Sequence, residues 1–204
     1  MKKNIITISR EYGSDGRNIG LLTAKKLDIE FYDKELIDAA AKEIGFPAET
    51  VAAKEQKLTS SILYNFAVGT IYGSAYPREP KPSELPLAEQ IFLAQKKAII
   101  ERAKRGPCVI IGRCADYILR DREDVLRVFI YADYESRKRR ALKEYGELEE
   151  NIDKMMREID KKRRIHYENY TSQRWGDRDN YDLLLNTALL DPQKCADIIC
   201  EAVR

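Results

Sequence analysis

Ile5-Ile6-Thr7-Ile8-Ser9-Arg10-Glu11-Tyr12-Gly13-Ser14-Asp15-Gly16-Arg17-Asn18-Ile19-Gly20-Leu21-Leu22-Thr23-Ala24-Lys25-Lys26-Leu27 decides the reading of the fold. It opens on a short β-branched run, Ile5 to Ser9, passes through a glycine-bearing turn, Arg10 to Asn18, and continues with apolar residues at helical spacing from Ile19 to Leu27. Strand, glycine loop and helix in that order build a phosphate cradle in an α/β sheet. The glycines let the backbone curl so that successive N–H groups point inward, and the positive end of the helix dipole then faces the anion. Against the phosphate-loop spacing G-x-x-x-x-G-K-[ST], Gly16 takes the second glycine, Glu11 the first, Arg17 the lysine and Asn18 the hydroxyl residue. Three of the four fixed positions are therefore degenerate, and a tight turn without a ligand is the competing reading. Two features favour a phosphate site: the loop follows the first strand, and Arg17 keeps a cation whose planar fork suits phosphate oxygens.

The remaining chain repeats the pattern. Ile29 to Tyr32 predicts a second strand, with Asp33 at its end and placed to cap a helix from Lys34 to Ile44. Gly45-Phe46-Pro47 breaks that helix, and Pro47 suits the first turn of another running to about Lys57. Thr59 to Phe66 reads as helical. Gly69 to Pro86, with Tyr72 and Tyr76 between its glycines and prolines, reads as a long mobile loop near a substrate entrance or at a dimer contact. Leu87 to Lys104 has a helical apolar face, stopped by Gly106-Pro107. Cys108 to Ile111 is wholly apolar, as in a strand buried on both faces, and ends in Gly112-Arg113. A short helix from Cys114 to Arg120, a strand from Val125 to Tyr131 and helices from Tyr134 to Tyr145 and Glu149 to Tyr170 follow. Leu183 to Leu185 reads as a last buried strand ending at Asn186-Thr187, and Pro192 opens the final helix, to Val203. Alternating strands and helices predict an α/β fold with a mainly parallel sheet. Ligands bind such sheets beyond the carboxyl ends of the strands. Those ends carry Ser9 with the loop, Asp33, Gly112-Arg113, Asp133 and Asn186, polar or charged where the strands are apolar.

The chain has 204 residues, 44% of them apolar and 34% charged, which suffices for one domain with a sizeable core. A net charge of +2 does not imply a nucleic-acid-binding surface. No apolar run approaches membrane-spanning length, and the N-terminus lacks signal-peptide character, so a cytoplasmic protein is expected. Cys108, Cys114, Cys195 and Cys200 form no C-x-x-C pair and predict buried free thiols. For Arg139 and Arg164 the expected setting is a solvated helix face with pairs such as Glu135 to Arg139. Tyr167, Tyr170 and Trp175 are expected to pack a lid against the core, Gly176-Asp177 and Asn180 to form a turn, and His166 to be structural or solvated.

Four blocks, Ser9-Arg10-Glu11-Tyr12-Gly13-Ser14 with Gly16-Arg17, Phe31-Tyr32-Asp33-Lys34-Glu35-Leu36, Gly106 to Arg113, and Trp175-Gly176-Asp177 with Asn180 to Leu183, resemble the cytidylate kinase-like family, related to nucleoside monophosphate kinases. The resemblance covers nearly the whole chain. It implies a single P-loop kinase three-layer domain over residues 1–204: a five-stranded parallel sheet flanked by helices, a monophosphate-binding insert near 34–86 and a helical lid near 137–175. By motif it implies that Gly13, Ser14, Asp15, Gly16, Arg17 and Asn18 hold the ATP phosphates, and that Asp33 and Arg113 face the acceptor. Arg17, Arg137 and Arg163 would be catalytic, the last two closing on the transferred phosphoryl group from a lid flanked by Arg137 to Arg140 and Lys161 to Arg164. The implied cofactors are ATP and Mg2+, the partners nucleotide substrates, with no nucleic-acid polymer and no membrane, in a monomer or homodimer. Three departures bear on specificity. Asp15 stands where the family loop carries glycine, Asn18 where Ser or Thr helps hold magnesium, and Cys114 where cytidylate kinases carry an aspartate. No protein metal ligand is expected, since magnesium can be held through phosphates and water. The expected activity is phosphoryl transfer to a small acceptor, a nucleoside monophosphate such as CMP or dCMP. The alternatives are a non-catalytic nucleotide-binding or interaction module that keeps the fold, and a kinase of another small metabolite.

Overall fold

A computed structural model describes residues 3–51 and 85–203 of the chain. The helix expected from Pro47 is described, as helix, only as far as residue 51; its continuation to Lys57, the helix from Thr59 to Phe66 and the Gly69 to Pro86 loop as far as residue 84 lie outside the described residues. Two compact units are formed, one from residues 3–33 and 99–203, the other from the described part of Lys34–Ala98.

The first unit is built on five parallel strands: β1 (Ile5–Arg10), β2 (Glu30–Tyr32), β3 (Cys108–Ile111), β4 (Val125–Tyr131) and β5 (Leu183–Asn186), in the order β2-β3-β1-β4-β5. Thr7 lies opposite Ile110 on one side and Arg127 on the other. β1 is therefore central, and its first five residues are buried. β-branched side chains fit such a two-sided environment. Helix α1 (Gly16–Leu27) turns back along the sheet beside the last helix, given below. Gly20 permits the close approach of α1: a Cβ there would lie 2.6 Å from Ile111 Cδ1. One core gathers Ile6, Ile8, Ile19, Val109, Ile111, Val128, Ile130 and Ile199. Each fully buried aliphatic side chain contributes roughly 1.5–3 kcal/mol.

The other helices are α2 (Glu35–Ile44), α3 (Leu87–Arg105), α4 (Ala115–Ile118), α5 (Tyr134–Glu144), α6 (Glu149–Thr171) and α7 (Pro192–Ala202). Asp133 caps α5 by accepting from Ser136 N, and Asp191 caps α7 from Lys194 N with Pro192 in the first turn, as their sequences favour. Ala141, Ile152 and Met156 join α5 and α6 in a satellite core that includes Tyr12. The second unit packs Ala41, Val51 and Ile91 with Ile37, Ile44, Ala48 and Leu87.

Two local expectations are corrected. Asp33 does not cap α2: Lys34 holds the cap position in helical dihedrals, and the Asp33 carboxylate is bound by arginines instead. Arg139 donates to Ser136 Oγ at 3.2 Å, one turn back, rather than pairing with Glu135. All four cysteines are buried and none forms a disulfide. Asp177 caps a 3-10 turn at Arg178–Asn180, and Trp175 meets Phe129 edge-on at 5.4 Å. His166 lies 5.0 Å from the Tyr170 ring on α6. Among the described residues no helix is long and apolar enough to cross a membrane.

Candidate active site

The loop between β1 and α1 is a closed turn. Glu11 N continues the sheet by donating to Ile130 O at 3.0 Å, and Ser14 Oγ donates back to Glu11 O at 2.8 Å. Gly13 (φ +77°) and Asp15 (φ +64°) are left-handed on either side of Ser14. That alternation curls the backbone into a concavity of the kind whose inward N–H groups suit an anion. Aspartate is one of the few residues that tolerates the left-handed region, which accounts for its presence where a glycine would otherwise stand. α1 begins with no acid in its first turn, and its cap residue, Asp15, makes no side-chain hydrogen bond to the first-turn amides, which leaves those N–H groups without a side-chain acceptor.

Asp15 is buried, and its carboxylate accepts from Asn18 Nδ2 at 2.9 Å. Burial raises its pKa, opposed by the Asn18 hydrogen bond and the charge of Arg140. A carboxyl whose folded pKa lies above its unfolded one stabilises the fold fully only below the unfolded pKa, and that contribution is lost as pH rises through the folded pKa. Ionised Asp15 thus weighs against the fold at neutral pH. Asp15→Asn, which can still accept from Asn18, is expected to raise the unfolding midpoint at pH 7, the gain fading as pH falls toward the carboxylate range. Thermal unfolding across pH checks this; a lowered midpoint at pH 7 contradicts it.

Three arginines surround one carboxylate beside the loop. Arg17 Nε donates to Asp33 Oδ2 at 2.7 Å, and Arg113 Nη1 reaches Asp33 Oδ1 at 3.5 Å. Arg10 lies in the same cluster: a Cβ on Gly112 would fall 2.2 Å from its Nη1, and its charge acts on Asp33. Burial pushes the Asp33 pKa up, but the Arg17 hydrogen bond and the charges of Arg10 and Arg113 outweigh it and hold the carboxyl below its ordinary range. Gly112 (φ +68°) and Arg113 (φ +54°) are both left-handed, which turns the chain sharply at the end of β3. Arg17 thus stands in the lysine position but directs its guanidinium to Asp33, passing 5.7 Å from the Phe31 ring. Arg10 was given no role by spacing. Its one signal is a cation as the first residue of the glycine-bearing turn.

On its other side the loop is held by α5 and α6. Arg137, buried, donates from Nη1 to Asp160 Oδ2 at 2.6 Å and to Tyr12 O at 3.0 Å, and from Nε to Ala132 O at 3.2 Å. Its Nε also lies 3.3 Å from Glu11 Oε2, which accepts from Ala132 N. Asp160 Oδ1 accepts from Tyr12 N at 2.7 Å. Arg163 donates to Arg10 O at 3.1 Å and lies 3.8 Å from Asp160. Burial raises the Glu11 pKa, with Arg137 pulling it back, and burial lowers that of Arg163, opposed by Asp160. Arg140 fastens the loop to the end of β5, donating to Gly13 O at 2.7 Å and to Thr187 O at 3.0 Å. Tyr12 donates its hydroxyl to Glu147 at 2.8 Å and meets Tyr145 edge-on. The structure therefore brings the loop residues, Arg137 and Arg163 together, and joins to them Glu11, Arg140 and Asp160, the last of which the sequence reading did not single out.

Cys114 cannot serve as an acceptor-binding carboxylate. The nearest one in sequence, Asp116, is buried and accepts from Tyr167 of α6 at 2.7 Å. Burial raises its pKa, although the Tyr167 hydrogen bond opposes this. Among the described residues no three metal-ligating carboxylates, thiols or imidazoles cluster.

No curated protein matches the chain. Among solved structures, an uncharacterized protein from Eubacterium ventriosum ATCC 27560 is similar at 24% identity over 98% of both chains, with a TM-score of 0.69. Shikimate kinase from Bacteroides thetaiotaomicron is similar at 14% identity over 98% of this chain and 97% of that one, TM-score 0.54. TT1252 from Thermus thermophilus is similar at 16% identity over the full length of both, TM-score 0.53. These likenesses show the fold alone, an α/β fold shared with that shikimate kinase. The model of one sequence family matches residues 5–189, from the first residue of β1 past the end of β5, and the chain therefore belongs to the cytidylate kinase-like family.

Proposed function

We propose that the chain transfers the γ-phosphoryl group of Mg-ATP to a small acceptor, a nucleoside monophosphate such as CMP or dCMP. The observation that carries this reading is the uncapped start of α1 behind the left-handed pair Gly13 and Asp15, at the carboxyl end of the central strand, with arginines on both sides. Phosphoryl transfer needs alignment and positive charge around the equatorial oxygens more than covalent chemistry from the protein. In this reading the amides from Gly13 to Asn18 hold the nucleotide phosphates. Asn18 keeps its amide on Asp15, and a magnesium ion would be held through the phosphates and its own waters, where it would neutralise phosphate charge. Asp33, kept ionised, accepts from a donor on the acceptor, and Arg10, Arg17 and Arg113 draw the acceptor's anionic group to the ends of β1 and β3. Arg137 and Arg163 steady the transferred group and exclude water, which would otherwise compete with the acceptor.

A coupled ADP-release assay with CMP, dCMP, UMP and AMP tests this. Turnover with a pyrimidine monophosphate is expected; folded protein inactive with all four at millimolar acceptor contradicts it. A second reading, nucleotide binding without transfer, is favoured by one observation: Arg17, in the lysine position, is 2.7 Å from Asp33 rather than on the loop. Calorimetry separates the two, because binding of Mg-ATP without turnover supports the second reading alone. The third, a kinase of another small hydroxylated or phosphorylated metabolite, predicts ADP release with an acceptor outside the nucleotide set.

A further inference from the structure

We infer that Asp160 is an internal stand-in for a phosphoryl anion, latching α6 onto the loop until polyphosphate displaces it. The inference rests on reading the loop as phosphate-binding. Asp160 uses both carboxylate oxygens as two oxygens of a phosphoryl group would be used. Oδ1 takes the N–H of Tyr12 in the loop at 2.7 Å, and Oδ2 takes Nη1 of Arg137 at 2.6 Å. Arg163, the other arginine expected on the transferred group, stands 3.8 Å from the same carboxylate. A loop amide and two guanidiniums from α5 and α6 around one oxyanion are donors of the kind a phosphoryl group takes.

Two further contacts show that the latch does more than fill space. Glu11 sets a second carboxylate 3.3 Å from Arg137 Nε, so the buried guanidinium keeps an anionic partner when Asp160 leaves. Glu147, from the turn between α5 and α6, holds the Tyr12 hydroxyl at 2.8 Å and fixes the residue whose amide Asp160 takes. Asp160 itself is on α6, whose Tyr167 is tied to the buried Asp116. That tie anchors the helix while the Asp160 turn is free to exchange one anion for another. An incoming polyphosphate must therefore compete with Asp160 for Tyr12 N–H, Arg137 and Arg163, and the chain's own carboxylate lowers its affinity.

Asp160→Asn tests the latch directly. The amide oxygen can still accept from Tyr12 N, while the side chain no longer bears charge against Arg137. The probe is inorganic triphosphate, titrated calorimetrically into the full chain. The variant is expected to bind about tenfold more tightly than the wild type, the size of one lost charge-assisted hydrogen bond competing with the ligand. Equal or weaker binding by a variant with an unchanged unfolding midpoint overturns the latch and leaves Asp160 a strut of the loop. Binding by neither protein overturns the phosphate-loop reading, and the latch with it. A crystal structure of the wild-type chain with triphosphate gives the same answer without a variant. The latch predicts Asp160 displaced from Tyr12 N; the 2.7 Å bond retained with the anion in the loop overturns it.

Discussion

Arg137→Ala is expected to destabilise the chain by about 3 kcal/mol, the size seen when one partner of a buried ion pair is removed, and to cut phosphoryl transfer by roughly 10³-fold, as loss of a transition-state arginine does. The structural part follows from what the guanidinium holds. Arg137 is 8% exposed and joins Glu11 and Asp160, two carboxylates on different elements, while donating to Ala132 O and Tyr12 O. Alanine leaves both carboxylates facing each other without their shared cation, and burial already raises the Glu11 pKa. Arg137→Lys recovers little, because an ammonium cannot span both carboxylates and two carbonyls as a planar fork does. Urea unfolding measures the first effect, and ADP release well below the unfolding midpoint measures the second. A stability change within about 0.5 kcal/mol, the range of ordinary surface substitutions, contradicts the buried-network account; full turnover contradicts the role in transfer.

Gly13→Ala is expected to cost about 2–4 kcal/mol in stability and to abolish triphosphate binding in the fraction that folds. At φ +77° an alanine sits in the left-handed region, a penalty of roughly 1–2 kcal/mol. The added Cβ would lie 2.6 Å from Arg137 O, and that neighbour is backbone of α5, which cannot rotate away as a side-chain tip could. Relief requires the loop to part from α5, opening the concavity that the proposed function depends on. Urea unfolding and calorimetry read the two effects; an alanine variant with wild-type stability and affinity contradicts the close approach of loop and helix.

Elements were legible in this sequence because the inner strands β1, β3 and β4 are largely buried; β5, expected to be buried, is an edge strand of which only Leu185 is buried and Leu184 is exposed. The run Cys108 to Ile111 could only be an inner strand, and it is β3, buried throughout. The β-branched start Ile5 to Ser9 became the central strand, extended by one residue to Arg10. The resemblance and the order of strands and helices together anticipated the five-stranded parallel sheet and the family. Pairings among charges were much less legible. Arg137 and Asp160 are on different helices, and nothing in the spacing of α6 says which of its acids turns toward the loop. Arg17 is placed by a motif, but its guanidinium follows Phe31 of β2 and Asp33 just beyond it. Arg10 showed itself only through Gly112, whose missing Cβ makes room for the guanidinium, a contact between strands that are neighbours in space and far apart in sequence. Asp33 looked like a helix cap because a carboxylate before a helix usually is one; here the cations beside it won.

The central claim is that the backbone from Gly13 to Asn18 grips a polyphosphate. Amide NMR of the full chain, titrated with Mg2+ and a non-hydrolysable ATP analogue, tests it most directly. The account predicts saturable downfield shifts of the Gly13, Gly16, Arg17 and Asn18 amides, larger than those elsewhere in α1. Amides from 13 to 18 that stay unmoved at saturating nucleotide would contradict it.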